Sequence, residues 1–153
     1  MPRYRKIVAE NRKAHFDYHI LETCEAGIAL QGSEVKSLRI GRANLRDSFA
    51  RVQNGQAFLH GMHISPYDFA RKDGIDPIRT RRLLLKKNEI KKLGGKVSQK
   101  GFVLIPLKVY FSGNYAKVEI AVAKGKKVFD KRETIKKKDS DRDMERELVD
   151  RQR

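Results

Sequence analysis

Between residues 102 and 122 the sequence writes out one long antiparallel hairpin, and nothing else in the chain restricts its fold as much. Phe102-Val103-Leu104-Ile105-Pro106-Leu107-Lys108-Val109-Tyr110-Phe111 reads as a strand, Gly113-Asn114 as a turn. Tyr115-Ala116-Lys117-Val118-Glu119-Ile120-Ala121-Val122 then alternates back. Pro106 cannot donate to a ladder, so an edge or a bulge is expected there. A second hairpin precedes it. Ser48-Phe49-Ala50-Arg51-Val52 alternates, Asn54-Gly55 is a strong two-residue turn, and Ala57-Phe58-Leu59 returns. Two hairpins without βαβ alternation or internal repeat predict a mainly β fold with some helix. The expected form is a partly open antiparallel barrel of the oligonucleotide-binding kind, with about six strands and two or three helices.

Residues 15–30 read as a further long strand with Gly27 as its kink or bulge. Gly32-Ser33 offers a helix start, Val35 and Leu38 share a face, and Gly41 ends that short helix. Pro66 stops strand pairing after His63-Ile64-Ser65, and residues 68–79 read as an exposed loop. Residues 81–93 predict the clearest helix, with Thr80 as N-cap and Gly94-Gly95 as its stop. In that helix Leu83, Ile90 and Leu93 face inward, while Arg82, Lys86 and Lys92 project elsewhere.

The 153 residues suit one domain that buries a core without staples. A net charge of +16 attracts polyanions and repels copies of the same chain, so a monomer is expected. Residues 1–123 carry 23 Lys and Arg against 11 Asp and Glu, and residues 124–153 carry 12 against 8. The barrel, residues 1–123, is therefore the expected main polyanion binder. No apolar run is long enough to span a bilayer, and no apolar signal core follows the basic N-terminus. With Cys24 as the single cysteine, no intrachain disulfide forms, and the cytoplasm is the expected compartment.

No phosphate-loop, nucleophile-elbow or His-Glu-x-x-His pattern is present, so neither catalysis nor a cofactor is expected. His60 and His63, three apart in an extended segment, point to opposite faces and with Cys24 make a poor metal site. Asp73 and Asp76 lack a third carboxylate for a metal-dependent nuclease. The strongest chemical signal is Lys124-Gly125-Lys126-Lys127-Val128-Phe129-Asp130-Lys131-Arg132, with five cations around one glycine and one aromatic. The cations suit an RNA backbone, and Phe129 suits either a stacked base or a return onto the barrel.

Residues 124–153 are poor in apolar side chains and are expected to be disordered when free. As a helix, residues 138–153 would place Lys138, Arg142, Arg146 and Arg153 on one face, Asp139, Asp143, Glu147 and Asp150 on the next. Three-apart ion pairs contribute only about 0.2–0.5 kcal/mol each, so order is expected only against phosphate.

Several segments, in one order and register, resemble the SsrA-binding protein family. They are Asn11-Arg12-Lys13-Ala14, Glu25-Ala26-Gly27-Ile28-Ala29-Leu30, and Gly32-Ser33-Glu34-Val35-Lys36-Ser37-Leu38-Arg39. Asn44-Leu45-Arg46-Asp47-Ser48, His63-Ile64-Ser65-Pro66-Tyr67, and Asp76-Pro77 before Arg79-Thr80-Arg81-Arg82-Leu83-Leu84-Leu85 follow. Lys117-Val118-Glu119-Ile120 and Ala123-Lys124-Gly125-Lys126-Lys127 with Asp130-Lys131-Arg132 complete the set.

The resemblance implies an oligonucleotide-binding-like barrel that grips the tRNA-like domain of transfer-messenger RNA. It implies escort of that RNA to stalled ribosomes, with a tail entering the empty message channel near the decoding centre. Functional links to alanyl-tRNA synthetase and elongation factor Tu follow from the same likeness. By motif, the RNA-gripping positions are Glu25, Leu84 and Lys117, reinforced by Lys86, Lys124, Gly125, Lys126 and Lys127. Phe129, Asp130, Lys131, Arg132, Lys138, Arg142 and Arg146 belong to the ribosome-facing tail. Phe129 stands where some members carry His, which keeps stacking and loses protonation. The rival readings are a permanent rRNA-binding protein of the ribosome or its assembly, and a metal-dependent RNA-processing enzyme.

Overall fold

The computed structural model describes residues 5–66, 76–99 and 101–126, together with Arg142. In chain order these residues form β1 (Arg5–Glu10), α1 (Arg12–Asp17), β2 (Tyr18–Ile28), α2 (Gly32–Arg39), β3 (Ala43–Asn44) and β4 (Phe49–Gln53). There follow β5 (Gln56–His60), β6 (His63–Ile64), β7 (Arg81–Leu84), α3 (Lys87–Val97), β8 (Phe102–Ser112) and β9 (Tyr115–Gly125).

Six strands run in a ring, β8–β4–β5–β7–β2–β9, and β9 pairs back onto β8. Two joints of that ring are thin. β4 meets β8 only at Ala50–Leu104, and β7 meets β2 only at Gly27–Leu84 and Ile28–Leu83. The barrel is therefore partly open, as the two hairpins predict. β1 adds to the edge of β8 beyond the β4 contact, through Arg5–Ser112 to Glu10–Lys108. β3 and β6 make a separate two-stranded ladder.

The interior is filled from every ring strand, with Ala26, Leu59, Leu83, Leu104, Val109, Val118, Ile120 and Val122 among its buried members. Leu38 of α2 and Ile90 and Leu93 of α3 cap it. A second, smaller cluster lies on the outside, where Ala14 of α1 packs with Ile105, Leu107, Ala121 and Ala123. Both hairpin turns sit where the sequence places them. Asn54 and Gly55 have φ of 51° and 74°, the left-handed pair that a two-residue turn demands. Pro106 is followed by a register shift before Lys108, the bulge its missing donor calls for.

Five expectations need correction. The segment before β2 is not strand from residue 15, because residues 12–17 form α1. Asn11 fixes its start, donating from its backbone N–H to the Leu107 carbonyl (2.7 Å) and from its amide to that of Pro106 (3.1 Å). The irregularity in β2 falls between Ile20 and Glu22, whereas Gly27 continues in register on both sides. The expected helix over residues 81–93 is two elements, strand β7 and then α3. Nor does Gly94-Gly95 stop α3, which runs to Val97. A Cβ built on Gly94 would lie 3.6 Å from Val52 Cγ1, ordinary contact distance, so this face of α3 packs on β4.

Lys86 rather than Thr80 precedes α3, and its N–H donates to the Glu89 carboxylate at 3.4 Å. β1 was not anticipated at all. β9 runs through Gly125, so Lys124 and Gly125 are strand residues.

Candidate nucleic-acid interface

Residues opposite one another in paired strands point to the same face of a sheet, as do residues two apart along a strand. These two rules build a surface on the outside of the barrel. Leu84 of β7, Gly27 of β2, Lys117 of β9, Tyr110 of β8 and Ile7 of β1 are successive register partners. One step along lies a second row, Glu25 of β2, Glu119 of β9, Lys108 of β8 and Glu10 of β1. The residues between the rows, Ala26, Val118 and Val109, are buried in the core. The face is thus the outer side of a sheet whose inner side is the hydrophobic interior.

Its chemistry is mixed. Leu84 is 52% exposed and Ile7 49%, which is unusual for aliphatic side chains and gives the face two apolar contact points. Leu84 leans over bare backbone, because a Cβ on Gly27 would lie only 3.1 Å from Leu84 Cβ. Arg82, two residues before Leu84, is exposed, as is Lys86 two residues after it. These two cations flank a hollow of about 300 Å³ that Leu84, Gln56 and Glu89 also line. Glu25 and Glu119 stand directly opposite each other, a like-charge pairing that a sheet disfavours. Each has a local partner. Lys108 pairs with Glu119 at 3.1 Å, and the Tyr110 hydroxyl donates to Glu25 Oε2.

Beneath the start of β7 lies a buried ionic cluster that sequence reasoning missed. Glu34 of α2 and Arg81 of β7 are 4% and 0% exposed. Arg81 Nε donates to Glu34 Oε2 at 2.7 Å, Arg81 Nη1 to the Met62 carbonyl at 2.6 Å, and Arg79 Nη2 to Glu34 Oε1 at 2.6 Å. The Gln31 N–H donates to the same Oε1 at 2.9 Å and caps α2. Burial pushes the Glu34 carboxyl up, but the bonds from Arg79, Gln31 and Arg81 outweigh it and hold the group below the usual carboxylate range. Burial lowers the Arg81 guanidinium, opposed by Glu34. This cluster fixes where β7 begins and hence where Arg82 and Leu84 emerge.

Of the candidate site residues, Glu25, Leu84 and Lys117 converge on this outer face, with Lys86 at its edge. Lys124, Gly125 and Lys126 do not join them. Lys124 is seven residues from Lys117 on one regular strand, about 24 Å away and on the opposite parity. Lys126 closes onto α1, its N–H donating to the Asp17 carbonyl at 2.9 Å and its ammonium to the His15 carbonyl at 3.1 Å. Arg142 is exposed. Lys127, Phe129, Asp130, Lys131, Arg132, Lys138 and Arg146 lie outside the described residues, as does most of the 68–79 loop. His60 stacks on Phe49 with ring centroids 5.1 Å apart, and the described residues contain no group of three or more His, Cys, Asp or Glu placed to hold a metal. No helix among them is long and apolar enough to cross a membrane.

The fold is thus that of a small, basic, partly open β barrel with a mixed outer sheet face. The family model described as SmpB protein matches residues 8–150. The SsrA-binding protein of Carboxydothermus hydrogenoformans is 59% identical over 143 residues, covering 94% of this chain and 96% of that one. The SsrA-binding protein of Geobacillus kaustophilus is 53% identical over 148 residues, covering 97% and 96%. A solved chain described as "tmRNA-SmpB: a journey to the center of the bacterial ribosome" superposes with a TM-score of 0.67 at 52% identity, covering 78% of this chain and 84% of that one. The chain belongs to the SmpB protein family, whose curated relatives are SsrA-binding proteins.

Proposed function

We propose that this chain binds the tRNA-like domain of transfer-messenger RNA with the outer barrel face and carries it to stalled ribosomes for rescue by trans-translation. The observation that carries the reading is convergence. Glu25, Leu84 and Lys117 come from segments far apart in sequence, and the fold seats all three around Gly27. Family membership over residues 8–150 supports the same conclusion.

The division of labour follows from the chemistry. Lys117, Lys86 and Arg82 supply cations for the RNA backbone, and Leu84 supplies an apolar surface for a base or ribose. Glu25 cannot take a phosphate, so it accepts from a base N–H or a ribose 2′-hydroxyl. Shape rather than sequence is then what the face reads. Lys124 and Gly125 at the far end of β9, with Lys126 and Lys127 after them, reinforce the grip on the RNA, and Phe129, Asp130, Lys131 and Arg132, then Lys138, Arg142 and Arg146, meet the message channel near the decoding centre. The protein acts in the cytoplasm as a monomeric adaptor with no chemistry of its own. The delivered RNA is charged by alanyl-tRNA synthetase and accompanied by elongation factor Tu.

A gel shift comparing a tRNA-like domain with an unrelated hairpin of equal charge tests the reading. The tRNA-like RNA is expected to bind at least about tenfold tighter, a difference near 1.4 kcal/mol. Equal affinity for the two would leave only a non-specific polyanion binder.

A further inference from the structure

Tyr110 is the one residue of the outer face whose aromatic ring is almost wholly hidden, at 2% exposure, although the face around it is open enough to leave Leu84 and Ile7 half exposed. Its hydroxyl does not stop at the neighbouring strand. Tyr110 sits on β8 and Glu25 on β2, with β9 between them, so side chains bridge two strand spacings, about 9.6 Å. The registers give the route: Tyr110 is opposite Lys117, and Glu25 is opposite Glu119 two residues further along β9. The bond from the Tyr110 hydroxyl to Glu25 Oε2 therefore passes diagonally across β9 between a lysine and a glutamate.

A buried phenol requires an acceptor, and an exposed glutamate ordinarily samples many rotamers. Joining them satisfies the first and restricts the second. We infer that Tyr110 is a positioning residue for RNA recognition: its hydroxyl holds the Glu25 carboxylate in the orientation in which it accepts from the RNA, so that the affinity contributed by Glu25 depends on Tyr110. This rests on the RNA-binding role proposed for Glu25 and names the residue that makes the role effective. The ordering of Glu25 is done at folding rather than at binding, the general gain of a preorganised contact.

Tyr110→Phe keeps the ring and removes only the hydroxyl. Affinity for the tRNA-like domain is expected to fall about tenfold, as for one hydrogen bond to a charged group. Affinity for a hairpin of equal charge and the slope of binding against salt should stay as in the wild type, because no cation changes. The decisive readout is coupling. In a Glu25→Gln background, Tyr110→Phe is expected to cost little further affinity. Glu25→Asp keeps the carboxylate but withdraws it by one methylene from the hydroxyl. This change at an exposed position leaves the core untouched, and it should reproduce the Tyr110→Phe loss even if that variant folds poorly. Wild-type binding by Tyr110→Phe, or losses that add in full across the double variant, would overturn the inference. Equal binding of the two RNAs by the wild type would instead remove the RNA reading on which it stands.

Discussion

Glu34 is a carboxylate that the fold has taken almost completely out of water and surrounded with donors. At 4% exposure it accepts from Arg79, Arg81 and the Gln31 backbone. Desolvation alone would protonate it. The bonds from Arg79, Gln31 and Arg81 outweigh burial and hold the carboxyl below its ordinary range, which favours the charged form as counter-ion to Arg81. Removing one member leaves the other charge buried and unpaired, which costs about 3–5 kcal/mol in comparable sites. Glu34→Gln is therefore expected to lower stability by about that amount at pH 7, read from urea unfolding. The pH dependence has a definite sign. Because the folded value lies below the ordinary one near 4.3, the contribution is complete above that pH and disappears as pH falls through the folded value. Wild type and Glu34→Gln should thus differ most near neutrality and converge well below pH 4. Parallel curves across that range would remove Glu34 from the ionic cluster.

At the scale of elements, β7 shows both what positions the outer face and why sequence reading failed there. Its four residues alternate inward and outward as Arg, Arg, Leu, Leu, so the inward pair is one buried cation and one leucine. No apolar alternation survives to mark a strand. Leu83, Ile90 and Leu93 fall at spacings of seven and three, which mimic one helix face while belonging to two elements. The buried state of Arg81 needs Glu34, 47 residues earlier, and no local window contains both. α1 was invisible for a related reason, since its six residues are held by Ala14 packing on strands 90 or more residues away. The hairpins, by contrast, were legible because turn chemistry and alternation are local. Glu25, Leu84 and Lys117 could be named only by family resemblance. Their adjacency is a matter of strand order, which the sequence does not display.

Gly27 gives that adjacency a test. An alanine Cβ there would press on Leu84 Cβ at 3.1 Å, across a β2–β7 joint of only two register pairs. A joint that thin can yield by a few tenths of an ångström. Gly27→Ala is therefore expected to change unfolding stability by no more than about 1 kcal/mol, the strand gaining from lower unfolded-state entropy. RNA affinity should fall several-fold as Leu84 is displaced. Unchanged affinity in a folded variant would mean that Leu84 does not touch the RNA.

For the whole molecule the decisive quantity is where the charge lies. Residues 1–123 hold a net +12 and residues 124–153 only +4, despite the tail's twelve cations, because eight carboxylates accompany them. A polyanion meeting the free protein at a distance responds to net charge, and so to the barrel. The observed binding constant should fall with salt at a log–log slope near −0.7 to −0.9 per phosphate contacted. If the outer face does the gripping, a chain ending at Phe129 should keep nearly the full slope and nearly the full affinity for the tRNA-like domain, while ribosome rescue is lost. If the tail's cations shared in gripping the free RNA, the shortened chain would lose slope in proportion to the contacts removed. Measuring both chains between 50 and 200 mM salt separates these cases, because one lost phosphate contact shifts the slope by nearly a whole unit while changing affinity at any single salt concentration only modestly. Equal loss of slope and rescue would place RNA binding and ribosome entry on one continuous surface, contrary to the roughly 24 Å and opposite strand parity that divide Lys117 from Lys124.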